Sequence, residues 1–442
     1  MSNEIISLVG ILIGVCGLIY LCYKGLPPMF VAPLCGVLVL IISQQPVVPG
    51  ITETYAGGFA GFLQKYFLIL FLGAIFGAIM GDSGAAKSIA RKITRLAKRC
   101  HGFEKLAAVW SIIIVAIVLV VGGVSVFVAM FTIVAISKEL YQELDVPWRL
   151  YGCQILGAGC IALTHFPGSP TVNNIIASTY LGTTLTAAPV LSVLAIICSF
   201  TLGTIYILWE LRGAKKKGEG FLPTGAEIAK TIHKDDDFQE MSLIVALIPC
   251  IVLFILLNVF NTGAVVASFV AIILALIMFH KRLGGPASMV ETCRTGAMQA
   301  ISSSVTASMV VGFGTVIASV PGYAFVLSGL TEIPGPPTIQ IIVAVNIAAG
   351  ITGSSSGGLT IAMDSLSDYF LSTGLNPQII HRLAVISSGG LDSLPHNGTI
   401  VNELGVCKLT HKEGYRPMGV CSVVIPLITV FVCAGLAQIG IC

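Results

Sequence analysis

The sequence predicts an all-α polytopic membrane protein made of two inverted repeats of five transmembrane helices, each with a re-entrant hairpin and a broken helix. Three observations predict it: composition, a duplicated motif, and the placement of positive charge. The 442 residues are 55% hydrophobic and 10% charged, with mean hydropathy +0.95, where soluble domains carry about 25% charged residues. A soluble globular protein is excluded. The stretch VGGVSVFVAM from Val121 is followed, after a charged turn, by LTHFPGSPTVNN from Leu163. In the second half, TGSSSGGLTIAM from Thr352 is followed by LDSLPHNGTIVN from Leu391. Ala129 and Met130 match Ala362 and Met363 at an offset of 233. Leu163, Pro167, Thr171 and Asn174 match Leu391, Pro395, Thr399 and Asn402 at an offset of 228. Clusters of Gly, Ser, Pro and Asn within apolar sequence break helices at membrane depth, where such backbone survives only if protein or a water-filled cavity satisfies it. Paired interruptions in two halves point to the substrate site of a carrier of small solutes.

A crossing helix needs about 20 apolar residues. Residues 5–23 and 29–43 supply two, separated by Lys24-Gly-Leu-Pro-Pro. The first run is too long for a signal h-region and ends in Lys24 instead of a small-residue cleavage site, so it reads as retained. A third crossing, about 66–80, runs into a basic segment at 85–105 with seven Lys and Arg against Glu104 alone. Ile89, Ile93 and Leu96 recur on its other face, the pattern of an amphipathic arm lying at anionic headgroups. Residues 106–137 are apolar and bisected by Gly122-Gly123. Too long for one crossing and too short for two, they suit a hairpin with the glycines at its tip. A helix over about 148–180, interrupted by Thr164-His-Phe-Pro-Gly-Ser-Pro, reads as one broken crossing, and 190–209 closes the first repeat (1–209).

Residues 210–240 hold Lys215–Lys217 and Asp235–Asp237 and read as a solvated cytoplasmic linker. The second repeat (241–442) has crossings at 241–259, 264–280 and 299–320. A hairpin at about 339–370, with its tip at 352–358, is followed by a broken helix at about 379–409 and a last crossing at 420–439. An odd number of crossings per repeat inverts one against the other. With the N-terminus outside, the inner side receives Lys24, the basic arm, Lys138, Arg149, the linker, Lys281, Arg282, Lys408, Lys412 and Arg416, and the outside keeps little beyond Lys65 and Arg382. That is the positive-inside pattern of a cell (inner) membrane protein. It sends the first hairpin in from the cytoplasm and the second from outside, with tips meeting near the midplane. The thirteen cysteines are scattered through apolar runs with no CxxC pair and read as free thiols.

Four interruptions then converge. Hairpin tips and half-helix N-termini present unpaired N–H groups and the positive end of a dipole, which suits a carboxylate. The candidate substrate ligands are Gly122, Gly123 and Ser125 at the first tip and Thr164, Ser169, Asn173 and Asn174 at the first break. Gly353, Ser354, Ser355, Ser356 and Gly357 supply the second tip, and Asn397 and Asn402 the second break. No Lys or Arg lies in these loops, so the anion is expected to be held by dipoles and neutral donors. Any one serine could equally be a close-packing residue; four clusters placed symmetrically make the site. Ionisable residues inside spans are functional candidates by default. Asp392, at the lip of the second break with His396 nearby, is the first choice to carry a coupled proton. Asp82, which could simply cap the arm after it, and Asp364, near the outer surface, are the others. His165 occupies the first break, and His381 and His411 are expected at the interfaces. An intramembrane serine protease needs a fixed Ser–His pair and gives the duplicated plan no purpose. A cation/proton antiporter needs carboxylates in both breaks, and the first has none. No cofactor, metal or nucleic-acid partner is expected.

The motifs Gly81-Asp-Ser-Gly-Ala-Ala, Phe166-Pro-Gly-Ser-Pro, Asn174-Ile-Ile, Tyr180-Leu-Gly-Thr-Thr and Ser387-Ser-Gly-Gly-Leu-Asp-Ser-Leu-Pro-His-Asn-Gly resemble those of the gluconate permease family over nearly the whole chain. The resemblance implies the ion-transporter superfamily, whose members carry organic anions by an elevator-type movement and often form dimers. It also implies a homodimer here, with the first two crossings of each half as scaffold and the hairpins and broken helices as the moving part. The Phe-Pro-Gly-Ser-Pro and Leu-Pro-His-Asn-Gly forms are closest to the hydroxybutyrate permease branch, although Gly81 replaces the acidic residue usual before Asp-Ser-Gly. The function implied is symport of a small organic anion such as 3-hydroxybutyrate or gluconate with protons. Sodium is the alternative coupling ion, since Gly-, Ser- and Asn-rich loops also build sodium sites.

Overall fold

Within a bilayer every backbone polar group must be satisfied locally, which leaves long apolar runs little choice but helix. The computed structural model describes residues 3–121, 126–169, 171–232, 239–258, 260, 262–329 and 334–442; among them it is helical, with no strand. α1 (Asn3–Tyr23) and α2 (Pro28–Ile42) lead through a π turn (Gly50–Tyr55) into α3 (Ala56–Asp82) and the short α4 (Ala85–Ala97). α5 (Glu104–Val121) and α6 (Val126–Glu143) are the arms of the first hairpin. The first broken helix is a 3-10 segment (Trp148–Gln154), a π segment (Leu156–His165) and α7 (Val172–Leu181), followed by α8 (Pro189–Lys217). The second half runs α9 (Leu243–Asn258), α10 (Ala264–Phe279), α11 (Pro286–Ser319) and α12 (Pro321–Gly329). Its hairpin is α13 (Pro337–Thr352) and α14 (Ser355–Ser372), and its broken helix is α15 (Pro377–Ser388) and α16 (Gly398–Val406). α17 (His411–Gly419) continues through a π turn (Val420–Val424) into α18 (Ile425–Gln438). Six of these helices open on proline (Pro28, Pro189, Pro286, Pro321, Pro337, Pro377), where the missing N–H costs nothing and φ is preset.

Among the described residues, six stretches are long and apolar enough to cross a membrane: Asn3–Tyr23, Val47–Asp82, Glu104–Val121, Pro189–Lys217, Pro286–Ser319 and His411–Gln438. With shorter apolar helices beside them, the chain is an all-α, multi-pass membrane protein. The order of elements in the first half recurs in the second, and so do their contacts. α1 packs on α12 as α9 packs on α4; α2 packs on α11 as α10 packs on α3; α7 packs on α14 as α16 packs on α6. The long helices α3 and α11 run against each other at the centre. A separate core gathers Ala177 and Leu181 of α7 with Met363 and Phe370 of α14 and Leu383 and Ile386 of α15, so each hairpin is packed by the broken helix of the other half.

The structure departs from expectation in four places. The arms of the first hairpin are 18 residues each, about 27 Å long, because polar residues 104–105 and 138–143 extend both helices past the apolar run. α4 does turn a basic face outward, but Ile89 and Ala90 on its other face are buried against α6 and α9, not against lipid. The third crossing of the second half starts at Pro286 instead of 299. The linker is partly docked: α8 extends to Lys217, and Arg149 Nη1 and Nε reach Glu210 Oε2 at 2.5 Å and Glu219 Oε1 at 2.6 Å. Residues 235–237 lie outside the described residues. Nearby at the same surface, the Phe221 N–H donates to Asp145 at 2.8 Å, and this bond, aided by Lys105, holds the Asp145 carboxyl below its ordinary range.

Candidate substrate and coupling site

The first break is built by polar residues bonding to freed carbonyls. Thr164 Oγ1 donates to Cys160 O at 2.9 Å and contacts His165 Nδ1 at 2.7 Å; His165 Nε2 lies 3.0 Å from Ser199 Oγ. The chain leaves the helix at Phe166 and re-enters at Val172, and Thr171 Oγ1 closes the gap by donating to Leu163 O at 2.9 Å. Asn174 Nδ2 donates to Ser169 O at 3.0 Å and Thr171 Oγ1 at 3.2 Å. Asn173 Nδ2 donates to Ser388 Oγ, 2.8 Å away at the edge of the second break.

Arg382 corrects the expectation of a site without cations. It is fully buried, not at the outer surface, and its guanidinium fills the first break from α15. Nη1 donates to Thr164 O at 3.2 Å and Asn174 Oδ1 at 3.1 Å; Nε and Nη2 donate to Ala187 O at 3.3 and 3.1 Å, and Nη2 also to Leu185 O at 3.4 Å. Every N–H is therefore spent on a neutral oxygen, and among the described residues no carboxylate pairs with it. His381 is buried too, its Nε2 3.3 Å from Asn174 Oδ1, as is His411, with Nε2 3.0 Å from Pro395 O. The signal was present in the sequence: an arginine inside an otherwise apolar helix, six residues before a break. Assigning it to the outer side hid it.

The second break is fastened to its own hairpin. Gly353, at φ +59°, makes the tip a turn that only glycine adopts without strain, and Ser354 caps α14 by accepting from Gly357 N at 3.1 Å. A Cβ on Gly358 would lie 2.3 Å from the Ala349 backbone, so glycine lets the arms close. His396 Nε2 lies 3.0 Å from Gly350 O, and Asn397 Nδ2 donates to Gly353 O at 2.8 Å. Asn397 Oδ1 also caps α16, accepting from Thr399 N at 2.6 Å and Ile400 N at 3.0 Å. Asn346 of α13, which sequence reasoning missed, accepts from Leu391 N at 3.1 Å.

The two breaks and the second tip meet. Beyond the Asn173–Ser388 bond, a Cβ on Gly389 would lie 2.9 Å from Thr164 Cγ2. Around this meeting point several buried polar atoms have no partner among the described residues: Ser169 Oγ, Ser387 Oγ, His396 Nδ1 and Asn402 Oδ1. Asn402 Nδ2 reaches Met130 Sδ of the first hairpin, at 3.1 Å. Asp392 is buried beside them, accepting from Ser393 Oγ at 2.9 Å. Ser355 and Ser356 are half-buried at the start of α14. Two expected members are elsewhere. Asp82 is exposed at the end of α3 and accepts from Thr292 Oγ1 at 2.7 Å; Asp364 is exposed partway along α14, with the Tyr180 hydroxyl at 3.3 Å. Both lie on exposed turns of their helices. Gly122, Gly123 and Ser125 lie outside the described residues.

Comparison with known proteins gives a consistent setting. No family model matches the chain. It is 29% identical to the "Uncharacterized transporter YxjC" of Bacillus subtilis (strain 168), over 93% of this chain and 94% of that one. Among solved structures it is similar to the Alcanivorax borkumensis YdaH transporter at 13% identity, with a TM-score of 0.37 and 89% of each chain covered, an overlap too loose to equate the two folds.

Proposed function

We propose that this chain is a secondary active transporter that carries a small organic anion, such as 3-hydroxybutyrate, gluconate or a related hydroxycarboxylate, together with protons. The observation that supports it most is the set of unpartnered buried polar atoms where the two breaks and the second hairpin tip meet, beside an arginine whose charge no carboxylate answers. Buried polar groups are normally paired, and a set left open around a buried cation suits a ligand with hydroxyls and a negative charge. In this reading Ser169, Asn402, His396 and the N–H groups of the second tip hold the substrate. Arg382 supplies a fixed positive field from behind Asn174, and Asp392 is the first carboxyl to consider for the proton. The similarity to a transporter over nearly the whole chain supports carriage over catalysis. The sequence resemblance to the gluconate permease family supports the substrate class and an elevator-type movement. A cation/proton antiporter is disfavoured because the first break has no carboxylate.

Counterflow in proteoliposomes with labelled 3-hydroxybutyrate, gluconate and neutral sugars tests it. Uptake of one or more hydroxycarboxylates, raised by an inward proton gradient and not by a sodium gradient, is the expected result. Uptake driven only by sodium would transfer the coupling to that ion, and exchange of none of the carboxylates would sink the reading.

A further inference from the structure

A second buried carboxyl lies one residue beyond Asn402. Glu403 of α16 is fully buried, and Gln154 Nε2, from the 3-10 segment of the first broken helix, donates to its Oε1. The Tyr151 hydroxyl stands beside the same carboxyl. Among the described residues, no hydrogen bond within normal geometry reaches Glu403 Oε2 or Gln154 Oε1. The titratable groups that face this carboxyl are Tyr151, Cys407 on its own helix, and Tyr141 of α6 beyond Tyr151. α17 brings Glu413 toward Cys407, another acid, and α11 approaches α16 near Gly398 through Ala307 and Val311. Among the described residues no Lys, Arg or His pairs with Glu403.

An ionised carboxylate here is a buried charge without a counter-ion, which proteins avoid. It also leaves two bare acceptors, Oε2 and Gln154 Oε1, in one amide–carboxyl pair. A proton on Oε2 removes the charge and supplies the missing donor. We propose that Glu403 is a proton-binding site of this protein, protonated in the conformation described, with Gln154 and Tyr151 as its positioning residues. Resting on the proton-coupled reading above, the site adds a carried proton: Oε2 takes it from water on one side of the membrane and returns it to water on the other. Because α16 directly follows the second break, loss of the proton would charge the helix that carries Asn397 and Asn402, which links protonation to the substrate groups.

Infrared difference spectroscopy on the purified full-length protein reads the proton without any substrate. The expected result is a protonated-carboxyl band at neutral pH that is missing in Glu403→Gln and kept in Asp392→Asn. In Gln154→Leu, which keeps the acid but removes its amide partner, the band should shift. A band that neither Glu403→Gln nor Gln154→Leu alters overturns the proposal. In proteoliposomes, the ratio of labelled 3-hydroxybutyrate uptake with and without a pH gradient should fall toward unity in Glu403→Gln, and an undiminished ratio also overturns it. Wild-type protein that moves no hydroxycarboxylate would sink the transport reading, while the band would still decide the fate of Glu403.

Discussion

The two broken helices begin from the same sequence plan and are held in different ways. The first break is locked by charge. Arg382 enters from the other half, and with it the polar atoms of Asn174 are spent on Ser169 O, Thr171 Oγ1, His381 and the guanidinium itself. The second is held by neutral bonds to its own hairpin through Asn346, His396 and Asn397, and its Asn402 keeps an open oxygen. Asn174 and Asn402 occupy matched positions, yet one is a fastening and the other is unspent. The hairpins differ too. The second arm of the first hairpin, α6, lies along the central helix α3, whereas in the second hairpin the first arm, α13, meets the central helix α11. Duplication supplies two sites of one plan, and divergence spends the polar atoms of Asn174 while leaving an oxygen of Asn402 open among the described residues.

The strongest way to break this contrast is Arg382→Leu. It strands Thr164 O and Ala187 O in a dry interior, at about 1–3 kcal/mol for each orphan, and leaves Leu185 O with Gly168 N–H and Asn174 Oδ1 with His381 as their remaining partners. A stability loss on the order of 4 kcal/mol is expected, read as a lowered melting temperature in detergent together with lost transport. A variant that melts like wild type would mean the guanidinium is not the lock. Gly358→Val attacks the other side. Its side chain meets the Ala349 backbone, so the arms of the second hairpin must part, at about 1–3 kcal/mol of overpacking. Transport should be lost, while a cysteine cross-link placed across the first break still forms. Failure of that cross-link would show the two breaks to be one mechanical unit.

Much of this was legible in the sequence, for physical reasons that also mark the limit. Interrupted apolar runs have few solutions in lipid, so the hairpins, the broken helices and the order of the halves could be read from Gly, Pro and Asn placement. Asn173, Asn397 and Ser169 do stand where the interruptions meet. What a lone sequence could not give is which polar atoms are already consumed. Asn174 and Asn397 look identical to open ligands until Arg382 and Gly353 are seen against them. Arg382 and Glu403 were hidden for a related reason: each sits on a helix flanking a break, and its burial depends on the packing of the opposite half. Asp82 and Asp364 show the converse, since the sequence places an acid on a helix without saying whether its face is covered.

A smaller effect is expected from Asn397→Ala. It removes the cap of α16, worth about 1 kcal/mol, and the bond to Gly353. If the second break is the responsive one, substrate affinity should fall more than thermal stability does. Asn174→Ala should show the reverse order, and equal behaviour of the two would erase the distinction drawn between them.

Ser169→Ala gives the smallest change and the sharpest test of what the open atoms are for. Ser169 is 2% exposed and its hydroxyl has no partner. A buried polar group in that state burdens the fold, and its removal is neutral or favourable, by up to about 1 kcal/mol. Alanine should therefore leave the substrate-free protein as stable as wild type or slightly more so. If the hydroxyl serves the substrate, the same change removes a hydrogen bond to it and raises the apparent KM, by about tenfold for a bond worth about 1.4 kcal/mol. Only a ligand group gives this pairing of a melting temperature held or raised with affinity lowered. A serine that merely packs would leave both untouched, and one that bonds elsewhere in the protein would lower the melting temperature when removed. Melting curves of wild type and variant, with and without 3-hydroxybutyrate, separate the three cases, because substrate should raise the wild-type curve more than the variant's.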